Sequence, residues 1–176
     1  MASYGYAIQI YCDFSGYSDI AIGTSKLLGF NLSKNFNFPY FSKTIPEFWK
    51  RWHISLSTWF RDYVFYPLYL KLKHAKRIKP MAPKVQHNFS FVFSLTVMFL
   101  LLGIWHGADW QFMVLGVLQA LFIIIETYVH IFPAKAKVLY PLQIAKTYLL
   151  FCVTALLFRS IDLDNAVQHF AGLFGQ

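Results

Sequence analysis

The sequence predicts an all-α fold: a polytopic integral membrane helix bundle with interfacial or re-entrant helices. Three observations carry this. Hydrophobic residues make up 57% of the 176 and aromatic residues 20%. Charged residues make up only 14%, against about 25% in ordinary soluble domains. Mean hydropathy is +0.43, and the apolar residues fall into long runs separated by short polar or basic stretches. The formal net charge of +8 raises nucleic acid as a partner. The cations interrupt apolar runs and line no soluble face, so cationic loops beside spans are the better reading and no nucleic-acid partner is expected.

Residues 4–30 are weakly apolar and rich in small residues. Asp13, Ser15, Ser18 and Asp19 are costly against lipid, so this segment is expected to be a helix, whole or broken, buried among others. The opening stretch lacks a basic region and carries Asp13 and Asp19, so it does not read as a signal peptide. It reads as the interior of a membrane protein, and the chain as a C-terminal piece of something longer. Residues 31–46, with Pro39 and Pro46, read as a loop.

Residues 47–70 form a strong helix candidate. Phe48, Trp52, Leu56, Trp59, Tyr63 and Tyr66 make one aromatic stripe, and Lys50, His53, Ser57 and Arg61 a polar one. Glu47, Lys50, Arg51 and Arg61 argue against a simple span and for an interfacial or protein-buried helix. Residues 71–87 carry six cations and two prolines and read as a basic loop.

Three spans are expected next. Residues 88–108 contain no Asp, Glu, Lys or Arg and are long enough to cross hydrocarbon. Residues 110–132 are apolar up to Glu126 and His130. Residues 141–158 are apolar apart from Lys146, which can snorkel. A short amphipathic tail is expected over 163–174. Basic loops at 71–87 and 133–137 alternate with acidic positions at Asp109, Asp162 and Asp164, which places the basic loops in the cytoplasm.

The candidate site residues are polar groups inside these apolar runs. His106, in "LGIWHGADW", is the nineteenth residue of its span, roughly 27 Å along the axis and toward the far leaflet. It reads as a structural ring near a helix end, as a ligand, or as a general base. Gly103 and Gly107 leave room for a substrate to approach the ring. A desolvated imidazole stays neutral and can take a hydroxyl proton. His53 reads either as structural or as a substrate-positioning group. Asp13 and Asp19 either pair with Arg51, Arg61 or Lys50 inside the bundle or act on substrate. Cys12 and Cys152 lie in apolar surroundings and read as packing. No Cys/His spacing, HExxH, phosphate loop or GxSxG elbow appears, so no metal is expected.

Three stretches in order, "QIYCDFSGYSDIAIG", "EFWKRWHISLSTWFRDYVFYPL" and "GIWHGADWQFMVLG", resemble the C-terminal half of the membrane-bound O-acyltransferase (MBOAT) family. The bacterial alginate O-acetyltransferase branch is the nearest, and the ending "LFRSIDLDNAVQHFAGLFG" resembles that branch's tail. The branch that supplies D-alanine to teichoic acids is another relative. The resemblance covers nearly the whole chain. It implies the C-terminal portion, residues 1–176, of a single MBOAT domain, multi-pass in the bacterial inner (cytoplasmic) membrane and surrounded by lipid.

By that resemblance His106 is the catalytic base and His53 a second catalytic position. Asp13, Asp19, Trp105, Lys50, Ser57 and Arg61 complete the candidate substrate-binding set. The resemblance implies no bound cofactor. The acyl donor is a cytoplasmic thioester, acetyl-CoA or another. The acceptor is a hydroxyl of an extracytoplasmic glycan or of a secreted acyl-transfer partner protein. The alternative is a non-enzymatic transporter or export subunit for a cell-surface glycan, using the same buried polar groups as a pathway.

Overall fold

A computed structural model describes residues 2–129 and 137–172. Among them every regular element is helical. The first helix, α1, spans Ala2–Leu27 without a break. Three later helices are long and apolar enough to cross a membrane: α5 (Pro83–His106), α6 (Trp110–Tyr128) and α7 (Tyr140–Arg159). A short amphipathic helix, α8, follows at Leu163–Gly172. The basic loop at 133–137, His130 and the end of the tail lie outside the described residues, apart from Lys137 at the start of a short 3-10 turn before α7.

The expected single helix over 47–70 is broken at 50–53 into a short helix and a longer helical run that includes one π turn. Helix α2 covers Ile45–Trp49. Thr44 caps it by accepting from Glu47 N at 3.2 Å, and the Glu47 carboxylate reaches back to Lys43 N at 2.9 Å. This is close to the Thr-x-x-Glu capping box, with the carboxylate bonding the residue before the cap instead of the cap itself. The chain then breaks, and His53 sits in the left-handed region at φ 42°, ψ 56°. Helix α3 begins at Ile54 and runs to Phe60, through one widened π turn at Arg61–Phe65, into α4 (Tyr66–Lys73).

The break is stable because the preceding loop satisfies it. Asn37 N donates to Arg51 O at 2.9 Å and Ile54 N to Asn35 O at 2.9 Å. The Asn35 side chain accepts from both Ser55 N (3.1 Å) and Ser55 Oγ (2.7 Å). The orphan groups of two helix ends are thereby used.

Helices α5 and α6 form an antiparallel hairpin around a tight backbone contact. A Cβ on Gly103 would lie 2.2 Å from Phe112 O, and one on Gly116 would lie 2.2 Å from Phe99 O. Four residues back on α5 and four forward on α6 give the same contact, so the register is continuous. Small residues at such crossings let helices approach where burial in water is not the driving force. The core beside this crossing contains Leu95, Phe99, Leu102, Ala120 and Ile123, closed by Ile45 and Phe60. A second cluster, with Ala7, Phe48, Trp52, Phe151 and Ala155, joins α1, α2 and α7.

Polar groups tie the apolar helices together. Gln119 Nε2 on α6 donates to Thr154 Oγ1 on α7 at 2.9 Å. Lys146, expected to snorkel, instead pairs with Glu126 across α6 and α7. The second oxygen of Glu126 accepts from Ile45 N at 2.7 Å, so one carboxylate holds α6, α7 and the start of α2. Cys152 is buried as expected, whereas Cys12 is exposed.

Candidate functional site

A cavity of about 560 Å³ opens between α1, α2, α6 and α7. Asp13 borders it from α1, His53 from the turn before α3, and His106 from the end of α5. Gln119 and Thr154 form the back wall. The left-handed residue marks the change of direction here: His53 borders this cavity while its neighbour Ile54 borders another.

Aromatic rings hold both imidazoles. Phe14 meets the His53 ring edge-on with centroids 4.6 Å apart. Phe158 meets His106 edge-on at 5.1 Å, and Trp105 lies 4.9 Å from His106 and 6.0 Å from His53. Among the described residues no protein group hydrogen-bonds either ring, so their nitrogens are uncommitted. Burial pushes the His53 ring down to about 4, and the nearby His106 adds to the effect. His53 is therefore neutral at physiological pH and can donate from one nitrogen and accept at the other.

The remaining candidates separate. Lys50, Ser57 and Arg61 line a second cavity of about 530 Å³ instead of sharing a wall with His53. The helical stripe that linked them in sequence is cut by the break at 50–53. Asp19 is exposed on α1 and borders neither cavity. Trp105 is 55% exposed and contacts the histidines from outside the first cavity. The expected pairing of Asp13 and Asp19 with Arg51, Arg61 or Lys50 does not occur: Arg51 pairs with Glu47 and Arg61 with Asp62, each at 2.8 Å. The aromatic stripe also splits, with Phe48 and Trp52 buried and Trp59, Tyr63 and Tyr66 exposed.

The glycines flanking His106 have a packing task that the sequence reading did not include. A Cβ on Gly107 would meet the Phe112 ring at 2.4 Å, and Gly103 accommodates the Phe112 carbonyl. Both make room for α6. Sequence reasoning missed Trp49, Gln119 and Thr154. Gln119 carried a signal, an amide in the middle of an apolar span. Trp49 carried none beyond its aromatic character. Among the described residues no three His, Cys, Asp or Glu side chains converge as a metal site.

Such a cavity, with one uncommitted imidazole at the end of a span and another at a helix break, can move a proton to or from a hydroxyl or thiol held between them. Comparison with known proteins gives this chemistry a setting. Residues 1–145 match the sequence model of the membrane-bound O-acyltransferase family. The chain is 40% identical over 174 residues to the probable alginate O-acetylase of Azotobacter vinelandii, covering 99% of this chain and 32% of that protein. It is 33% identical over 177 residues to the peptidoglycan O-acetyltransferase of Helicobacter pylori, covering 99% and 31%. It is 39% identical over 117 residues to the teichoic acid D-alanyltransferase of Bacillus subtilis, covering 66% and 28%. The chain thus spans about a third of the length of these relatives.

Proposed function

The chain belongs to the membrane-bound O-acyltransferase family, and on that premise we propose that it forms part of an enzyme that moves an acyl group from a thioester to a hydroxyl. The acyl group is acetyl, the donor acetyl-CoA or a related cytoplasmic thioester, and the acceptor an extracytoplasmic polysaccharide or a secreted partner protein that passes the group on. Relatives named for alginate, peptidoglycan and teichoic acid support a glycan acceptor. The setting is the bacterial inner membrane, crossed several times.

In this reading His106 is the general base. Its free imidazole nitrogen takes the acceptor's hydroxyl proton while the oxygen attacks the thioester carbonyl carbon. A C–O bond forms and the C–S bond breaks. The imidazolium then returns the proton to the departing sulfur, leaving an ester and a free thiol. His53, neutral and bordering the same cavity, donates its N–H to the carbonyl oxygen as charge gathers there. Asp13 orients the acceptor hydroxyl from α1. The thioester is already activated, so holding both reactants between the two rings supplies most of the remaining acceleration.

One observation carries the reading: two imidazoles from separate elements border one cavity, and neither is hydrogen-bonded by any other of the described residues. A structural histidine ordinarily has its nitrogens bonded. The test is transfer of radiolabelled acetyl from acetyl-CoA to cell-surface polymer by the full-length protein in membranes. His106→Gln keeps a polar side chain but cannot take up the proton, so transfer should fall by about 10²–10⁴ with the protein still accumulating. Near-normal transfer by that variant removes the general-base role.

A further inference from the structure

Trp49 is the one residue, among those described, that lines both cavities. On one side of its indole lies the chamber with His53 and His106. On the other lies the second cavity, whose α5–α6 side is apolar, formed by Leu95, Met98, Phe99, Leu102 and Ile123, while Lys50, Ser57 and Arg61 border it from the α2–α3 side.

The indole is fixed in place. Its Nε1 donates to Gln119 Oε1 at 3.0 Å, and Gln119 Nε2 donates on to Thr154 Oγ1 at 2.9 Å. Both ends of the Gln119 amide are thus used, and the Gln119 side chain is almost fully buried. Phe99 packs against the indole at 5.2 Å and Phe48 edge-on at 5.9 Å. A ring held by a two-step hydrogen-bond chain and two aromatic neighbours behaves as a wall, not as a freely turning side chain.

We propose that Trp49 is a specificity-determining partition that restricts the chamber to short acyl groups by closing off an apolar annex able to hold longer ones. The proposal rests on the acyl-transfer reading of the chamber. An alkyl chain running from a carbonyl beside His106 toward α2 would meet the indole, which borders the same cavity. With a small side chain at position 49 it would continue into the second cavity. Each methylene buried there would favour the longer donor by about fourfold.

The test compares [14C]acetyl-CoA with [14C]hexanoyl-CoA as donors to cell-surface polymer, using the full-length protein in membrane vesicles. Wild type should favour acetyl strongly. Trp49→Ala should raise the hexanoyl-to-acetyl ratio at least tenfold. Trp49→Phe, which keeps the aromatic packing but loses the hydrogen bond and part of the volume, should raise it less. Adding Met98→Trp to Trp49→Ala refills the annex and should bring the ratio back down. An unchanged ratio in Trp49→Ala overturns the partition, and Trp49→Phe decides the matter if the alanine variant does not accumulate. A ratio that stays high in the double variant also overturns it, because the longer chain then lies elsewhere. Wild-type membranes that transfer neither label would refute acyl transfer itself, a separate failure that takes the partition with it.

Discussion

Phe112 O occupies the place a side chain at Gly103 would need: an added Cβ would lie 2.2 Å from it. Backbone cannot yield as a flexible side chain can, so the α5–α6 hairpin tolerates no larger residue there without moving apart. Gly103→Ala should destabilise the full-length protein by about 1–3 kcal/mol, the range typical of overpacking, and Gly103→Leu should abolish accumulation. Thermal unfolding in detergent and membrane yield measure both. Equal stability of Gly103→Leu and wild type would mean that the two helices do not cross at this point.

Glu126 holds Lys146 on α7 and Ile45 N on α2 at once. Glu126→Ala removes both contacts and takes the carboxylate partner away from Lys146. Breaking one side of a buried pair costs about 3–5 kcal/mol, discounted here because the Lys146 side chain is 21% exposed. Unfolding in detergent should therefore show Glu126→Ala well below wild type. Adding Lys146→Met should recover part of the loss, which a simple packing defect would not.

His53 gives stability a pH dependence. Its folded value lies near 4, below the ordinary 6.5. Between these limits the unfolded chain takes up a proton that the folded one refuses. Stability from this residue is therefore present above about pH 6.5 and falls as the pH drops toward 4. Wild type should lose more Tm than His53→Asn between pH 7.5 and pH 4.5. Parallel losses in the two proteins would contradict the burial assigned to this ring.

The basic stretch between α4 and α5, with Lys76, Arg77 and Lys79, should face the cytoplasm. A cysteine at position 76, on a background lacking Cys12 and Cys152, should react with an impermeant reagent only after permeabilisation. A cysteine at position 109, at the opposite end of α5, should react in intact cells. The reverse pattern would invert the chain and put the His106 end of α5 on the donor side.

The spans were legible because hydropathy is a local property: the runs over 88–108 and 141–158 matched α5 and α7 to within a few residues, apart from the start of α5 at Pro83. The break at 50–53 was not. It depends on Asn35 and Asn37, many residues earlier, supplying hydrogen bonds to the two helix ends. Nothing in "WKRWHIS" itself marks a stop, although "TIPE" does mark a start. The site followed the same division. Polar residues in apolar runs pointed to His53, His106 and Asp13, which do meet at one cavity. Lys50, Ser57 and Arg61 were tied to His53 only by assuming one continuous helix. The packing task of the glycines beside His106 was not legible because their partner, Phe112, lies across the turn to α6.

The left-handed backbone at His53 makes any substitution scan of that position report two quantities at once. A β-branched replacement such as valine would strain the turn as well as remove the ring, and even alanine carries a backbone cost of about 1–2 kcal/mol. Lost activity in those variants would mix a displaced α3 with missing chemistry. Glycine and asparagine adopt this conformation readily. They are the replacements that take away the imidazole and leave the corner standing, so the information about chemistry at this position resides in those two letters of a twenty-letter scan.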